Sequence, residues 1–419
     1  MILLRLAIQS AWNRRTTLLL MLLAIALSTT LLLGIERVRH EVRTGFAESV
    51  SATDLVVGAR TSPIQLMLYA IFHLGGATNN IDWSSVTKLA QNPAVAWVIP
   101  LSLGDSHRGY PVLATDGDYF THFQYGPRQA LRFATGRPFN SVFETVLGAE
   151  VAERLHYKMG DHIVLSHGAS GMHLLEHADK PFTVVGILDR TGTPVDRSVH
   201  IGLDAMEAIH LDWQAGAPLP GVHIAPELVR KFDLTPKTVT AVLVGLKNRA
   251  AVFTVQRQIG NDRSEPLMAV LPGVALDELW EVVGIGENAL LLVSALVVVV
   301  GLAGLASSIL ASLGERRREL AVLRSVGAGP FDMFMLLALE GLAVMLAGVL
   351  AGVLLLSGLL LVCGPQLASH YGITLHLSWP TANEYRLLGG IVLAGFLASL
   401  LPGIRAYRMS LADGLTPHS

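Results

Sequence analysis

Four long apolar runs stand out along the chain. Thr16 to Ile35 is uncharged and about 20 residues long, the length needed to cross the hydrocarbon core of a bilayer. Asn288 to Leu313 is the second run, Met333 to about Val362 the third, interrupted by Glu340, and Leu387 to Ile404 the fourth. Between the first two, the pattern changes to short alternating pieces. Thr53 to Val57, Val95 to Leu103, Tyr110 to Ala114, Phe182 to Leu188 and Thr238 to Leu246 read as strands. Pro63 to Leu74, Ser84 to Gln91 (capped by Asp82 or Ser84) and Ala250 to Ile259 read as helices. From Val146 to Leu165 a strand, a helix and a Gly160-Asp161 turn into a second strand form a compact unit. The pattern predicts an α-helical membrane protein with four transmembrane helices and a large mixed α+β extracytoplasmic domain, of two lobes, inserted between helices 1 and 2.

The first run is long for the apolar core of a signal peptide, and no small-residue cleavage site precedes Glu36, Arg37 and Arg39, so it reads as an uncleaved anchor. Orientation follows from the arginines. Arg5, Arg14 and Arg15, the Arg316 to Arg324 loop, and Arg405 with Arg408 belong on the cytoplasmic side, whereas Gly364 to Tyr385 has neither Lys nor Arg. Arg37, Arg39 and Arg43 run against this trend and are discounted, because long domains translocate largely regardless of charge. The expected division is a cytoplasmic N-terminus over 1–15, spans over 16–35, 287–313, 332–362 and 386–404, an extracytoplasmic domain with its stalk over 36–286, a cytoplasmic segment over 314–331, an extracytoplasmic loop over 363–385 and a cytoplasmic tail over 405–419. The stalk begins near Ala275, where Leu276, Leu279, Val282 and Val283 recur at helical spacing and Gly284 and Gly286 offer points of bending.

Composition agrees with a membrane protein carrying one sizeable polar domain: 51% of residues are hydrophobic and 15% charged, with a mean hydropathy of +0.49. A net charge of −2 without a Lys/Arg tract away from the membrane flanks excludes a nucleic-acid partner. The single cysteine, Cys363, rules out an internal disulfide and any Cys-rich metal site.

Between the second and third runs lies GERRRELAVLRSVGAG, Gly314 to Gly329. Glu315, Arg316, Arg317, Arg318, Glu319 and Arg324 are polar, while Leu320, Ala321, Leu323 and Val326 give one apolar stripe, and Gly327 is where such a helix stops. Charge alone fits a stop-transfer cluster equally well. The whole string, however, resembles the coupling loop of the MacB, LolC and FtsX group of ABC transporter permeases. Gly136-Arg137-Pro138, Val146 to Leu165 and Phe182 to Leu203 resemble the MacB-like periplasmic core domain, and Pro402 to Leu415 resembles the family's terminal pattern. The resemblance implies a non-catalytic bacterial inner-membrane subunit, working as a dimer, a homodimer by preference, with two cytoplasmic ABC ATPase subunits that bind ATP and Mg. Its coupling helix is then Glu315 to Gly327. A fused ATPase, as in MacB itself, is not expected, since only about 15 residues precede the first span.

The chain's own chemistry is sparse. No GxxxxGK[ST] occurs and none of the lysines follows a glycine, so no phosphate cradle is expected here. GxSxG is also absent. His162, His167, His173 and His177 crowd together, and neutral imidazoles with Glu176 or Asp179 are a donor set for zinc; Gly168, Ser170 and Gly171 equally make the stretch a plain surface loop. Glu340 inside the third run is costly in lipid, where the comparable Asp, Lys and Arg cost about 2.5–3.5 kcal/mol, and is expected to snorkel or to pair with an arginine of the coupling loop. Gly348 and Gly352 form a GxxxG, and Gly301 and Gly304 offer small faces, either for packing within the subunit or for a dimer contact.

Three functions are therefore open: a permease subunit that exports or extracts a lipophilic, peptide or lipoprotein cargo, with a periplasmic or outer-membrane partner; an FtsX-like regulator of a periplasmic hydrolase; and a metal-linked export or delivery system using the histidine loop.

Overall fold

A computed structural model describes residues 15–168, 176–214, 217–219, 224–315, 322, 325, 327, 329–371 and 378–408. The chain divides into two compact units, Met1–Glu41 with Gly284–Ser419, and Val42–Val283.

Four helices long and apolar enough to cross a membrane are present among the described residues: α1 (Arg15–Glu48), α8 (Pro272–Glu315), α9 (Pro330–Tyr371) and α10 (Ala382–Arg408). Helix α1 is the best enclosed, with 44% of its most apolar window buried against 17–22% for the others. Leu19, Leu23, Leu27 and Leu31 form its exposed stripe, and Met21, Ile25, Ser28 and Leu32 its buried one, against Leu305 and Ile309 of α8 and Leu337, Met345 and Val349 of α9. The Thr30 hydroxyl is 2.8 Å from the Ala26 carbonyl and 3.0 Å from that of Gly352.

At one end of this unit sits a buried polar network. Arg37 donates through Nε and NH2 to the two carboxylate oxygens of Glu384, both at 2.9 Å, and through NH1 to the Ser378 carbonyl at 3.1 Å. Arg39 bridges Glu287 at 2.7 Å and Glu36 at 3.2 Å, and the Asn383 amide reaches Glu36 at 3.3 Å. Thr381 and Glu384 close a reciprocal capping box at the start of α10, with Thr381 N–H donating to Glu384 and Glu384 N–H to the Thr381 hydroxyl. Two of the three arginines set aside as exceptions to the charge rule, Arg37 and Arg39, are thus paired, and the third, Arg43, lies 5.9 Å from the centre of the Trp280 ring.

Among the described residues the second unit is built on one sheet of eleven strands. In chain order they are β1 (Leu55–Ala59), β2 (Val95–His107), β3 (Tyr110–Thr115), β4 (Phe133–Gly136), β5 (Glu144–Leu147), β6 (His162–Ile163), β7 (Ser166–His167), β8 (Phe182–Leu188), β9 (Val199–Gly202), β10 (Ala241–Leu246) and β11 (Leu267–Val270). Their order is β11-β1-β10-β2-β3-β9-β5-β8-β4, with β7 on β2 and β6 on β8. Strand β2 joins the two halves: Val95 to Leu101 ladders with β10, and Ser102 to His107 with β3. It outruns the expected end at Leu103 because Arg108 and Gly109, at φ 47° and 86°, turn the chain in a two-residue hairpin of the type that matches strand twist.

Both faces of this sheet are covered. Leu55, Val57, Val112, Ala114 and Val242 face a core closed by α3 (Trp83–Ala90), α6 (Leu203–His210) and α7 (Val252–Gly260). Val56, Leu113 and Leu243 face another closed by α2 (Pro63–Ala70) and α4 (Asp118–His122). Helix α5 (Ala149–Leu155) follows β5 and packs Val151 into the first core.

The residues that carry the sequence resemblance in this unit hold its framework. A side chain at Gly136, which sits at φ 84°, would strike the Val185 carbonyl, and one at Gly148 would strike the backbone of Val195 and Asp196. Arg137 pairs with Glu144 at 2.7 and 2.9 Å. Asp196 accepts the N–H groups of Thr191 at 2.8 Å and Gly192 at 2.7 Å, fixing the loop before β9.

Two expected outcomes follow from this packing. Glu384→Ala leaves the Arg37 guanidinium buried without its carboxylate and is expected to cost about 3–5 kcal/mol, read as a lower unfolding midpoint in detergent, whereas the double change Arg37→Met with Glu384→Leu should recover most of the loss. His200 is fully buried on β9 between Tyr119 and Phe120. Burial, and then the neighbouring His73, push its pKa down to about 3, and burial lowers His73 to about 4. A folded pKa below the unfolded value means stability that is complete above about pH 6.5 and is lost as pH falls, by roughly 1.4 kcal/mol per unit for each group. Asp116, raised by burial to about 6, acts in the opposite sense between about pH 4 and 6. Removing one such histidine should therefore make the unfolding midpoint fall less steeply, or rise more, between pH 7 and 4.5 in His200→Phe than in the parent chain.

Candidate functional site

The segment expected to couple to an ATPase begins where α8 ends, at Glu315. Arg316, Arg317, Arg318, Glu319, Leu320, Leu323 and Arg324 lie outside the described residues. Val322 and Ser325 are helical and exposed, with the Ser325 hydroxyl on the Val322 carbonyl at 2.8 Å. Gly327 has φ 107°, the left-handed conformation of a helix-terminating glycine. Gly329 N–H then donates to Asp332 at 2.8 Å, capping α9 one residue later. Glu340 is half-buried on α9 and faces a small cleft with Thr17, Leu18 and Ile309.

Three of the four singled-out glycines are taken up within the subunit. A side chain at Gly348 would meet Ile25 at 2.7 Å, one at Gly352 the Ala26 carbonyl and Thr29 Cβ at 2.7 Å, and one at Gly301 the Ser28 hydroxyl at 3.1 Å, all on α1. Gly304 has nothing within 4 Å among the described residues. The GxxxG of α9 is therefore the seat of α1.

The histidine group is rearranged by the fold. His162 is not part of it: β6 ladders with β8, which leaves this ring exposed, 3.2 Å from the Thr183 hydroxyl. His173 lies outside the described residues. His167 and His177 do come together, but with Asp105 and His210, and one donor atom from each of these four residues lies within 4.8 Å of the others. Asp105 and His167 are direct cross-strand partners in the antiparallel ladder of β2 and β7. His177 is carried back alongside by a bridge from Glu176 to Ser166 and a hydrogen bond from its N–H to the Leu165 carbonyl at 2.9 Å. His210 is the last residue of α6.

His167 Nδ1 lies 3.1 Å from Asp105 Oδ1 and 3.1 Å from His210 Nε2. His210 Nδ1 donates to the Met206 carbonyl at 2.8 Å, which leaves Nε2 with its lone pair aimed at the group. His177 is fully buried, and among the described residues neither of its ring nitrogens has a hydrogen-bond partner. Burial pushes its pKa down to about 4, so the ring is neutral. Trp213 lies over it with ring centroids 4.1 Å apart. Behind the group, the buried Lys180 ammonium reaches Asp212 at 2.7 and 2.8 Å and Asp179 at 2.9 Å, tying the His177 segment to the end of α6. Burial opposes ionisation of Asp212, yet Lys180 and the Ile224 N–H hold its carboxyl below the ordinary range.

The MacB-like periplasmic core domain model matches residues 16–262, and the FtsX-like permease C-terminal model matches residues 291–411. This chain belongs to the MacB and FtsX family of ABC transporter permeases. Membership implies a membrane setting, a large periplasmic domain and an ABC ATPase partner. No curated protein sequence matches this permease. Among solved structures, the periplasmic region of MacB from Actinobacillus actinomycetemcomitans is similar at 9% identity and a TM-score of 0.34, covering 55% of this chain and 94% of that one. The extracellular domain of the noncanonic ABC-type transporter YknZ from Gram-positive bacteria is similar at 10% identity and a TM-score of 0.30, covering 52% and 98%.

The glycine contacts give a direct check on the membrane part of the permease. Gly352→Leu should force α1 and α9 apart and lower the unfolding midpoint in detergent by several degrees, corresponding to about 1–3 kcal/mol. Gly304→Ala, at an open position, should leave it unchanged.

Proposed function

We propose that this permease is the membrane subunit of an ATP-driven machine of the bacterial inner membrane, in which a separate cytoplasmic ABC ATPase dimer drives conformational work in the periplasm. Two copies of the chain form the membrane part. The work is export or extraction of a lipophilic, peptide or lipoprotein cargo, handled outside the inner membrane. The observation that carries this reading is the pair of consecutive family matches, one to the periplasmic core and one to the permease segment, disposed around four apolar helices.

The membrane unit supports the same reading. Among the described residues Glu340 is the charged side chain deep in a span, at a cleft towards the start of α1, and Glu36, Arg37, Arg39, Glu287 and Glu384 pair with one another at one end. A helical set of this kind has no charged path for a polar solute. The segment Glu315 to Gly327 receives the push of the ATPase, with Leu320 and Leu323 as its apolar contact.

Changing Leu320 and Leu323 together to Asp should abolish co-purification of the ATPase from membranes, while the chain itself still inserts and folds. Undiminished co-purification would remove the coupling role from this segment.

A further inference from the structure

Two neighbouring histidines on the periplasmic unit have opposite fates. His107, on β2 two residues beyond Asp105, has Nδ1 2.7 Å from the Val164 carbonyl and Nε2 3.0 Å from the Tyr157 hydroxyl. His177 is as deeply buried and has neither nitrogen bonded among the described residues. Burying a polar group without a partner is costly, so an imidazole that faces three other donor groups and has no hydrogen bond among the described residues requires an explanation. A purely structural cluster, with a protonated His167 shared between Asp105 and His210, accounts for those three and leaves His177 unaccounted for.

We propose that Asp105, His167, His177 and His210 form a four-ligand site for a divalent transition-metal ion, zinc in the first place. Three imidazole nitrogens and one carboxylate oxygen are a borderline donor set that suits zinc and excludes calcium and magnesium, which take oxygen ligands. Tetrahedral zinc with bonds of about 2.0–2.1 Å needs donors roughly 3.3 Å apart. The four donors here already lie within 4.8 Å of one another, and the shortest pair is 3.1 Å apart, so side-chain rotation suffices to close the shell.

The outer shell is also in place. The Met206 carbonyl fixes the His210 tautomer with Nε2 available, which is the usual support of a metal-bound imidazole. The Lys180–Asp212 pair holds the two chain segments that carry His177 and His210. Asp105 and His177 form a buried floor, whereas the side chains of His167 and His210 keep 34% and 27% of their exposure, giving the ion a route from solution. With four protein ligands the site has no position for a reacting water, so it is a binding site and not a hydrolytic centre. The inference does not depend on the coupling role of the Glu315 to Gly327 segment.

The test uses the full chain in detergent, stripped with EDTA and titrated with zinc in competition with a chromophoric chelator. One zinc per chain is expected, with a higher unfolding midpoint when loaded. Cobalt in its place should give the intense visible bands of a tetrahedral ion. His177→Ala and His210→Ala should each weaken zinc binding by at least about 100-fold and abolish those bands, while His162→Ala binds as the parent does. Circular dichroism of each variant separates lost ligation from lost fold, and His167→Ala, at the half-exposed rim, provides a variant less exposed to that risk. The site is overturned if the parent chain takes up no stoichiometric zinc and shows neither the cobalt bands nor the midpoint shift. Folded His177→Ala and His210→Ala that bind zinc as the parent does overturn it equally.

Discussion

A guanidinium enclosed among apolar helices is tolerable only if its charge and its donors are met. Arg37 is 6% exposed and Glu384 2% exposed, and the two meet in a bidentate pair that also uses the Ser378 carbonyl. This geometry fixes where α10 begins against α1, because Glu384 is at once the partner of Arg37 and the residue that closes the capping box. A shift of α10 by one residue would break both. The pair also removes an apparent conflict with the charge rule. Arg37 and Arg39 are met by Glu36, Glu287 and Glu384, so this end of the membrane unit carries no net positive charge from the network.

The rest of the membrane unit obeys the same logic in milder form. Lipid tails are as apolar as leucine, so hydrophobicity does not draw one span to another; close approach and polar bonds must do it. Helix α1 gains both. Gly348 and Gly352 let α9 come within contact of Ile25, Ala26 and Thr29, and the Thr30 hydroxyl reaches the Gly352 carbonyl that this approach exposes. The exposed leucines on its other side need no partner but lipid.

The periplasmic unit works under the opposite regime, with water outside and a sheet buried on both faces. Its hydrophobic strands were readable from the chain because their residues pack on one core or the other in alternation. The end of β2 was not. Gly104, Asp105 and Ser106 look like a turn, and only the hairpin at Arg108 and Gly109 and the pairing with β3 and β7 keep them extended. The residues that announced the family, Gly136, Gly148, Arg137 and Asp196, turn out to lock strand crossings and a loop. They therefore speak to the fold and are silent on cargo.

The imidazole group shows where sequence reading stops. Nearness along the chain assembled His162, His167, His173 and His177, but a loop's neighbours in sequence need not share a face. His162 is drawn to β8 by a two-residue ladder, while Asp105 arrives by register across from His167 and His210 by the end of a helix docked on the sheet. None of the missed residues has a local signature: an Asp-x-His near a hairpin and a histidine closing a helix are ordinary. What distinguishes them is a balance that only packing reveals. Lys180 and Asp212 lie buried next to the group with opposite charges that satisfy each other, whereas His177 beside them has a neutral ring and no hydrogen bond among the described residues. A buried neutral ring with no hydrogen bond among the described residues, set beside an ion pair that is fully matched, is the contrast on which the proposed zinc site rests.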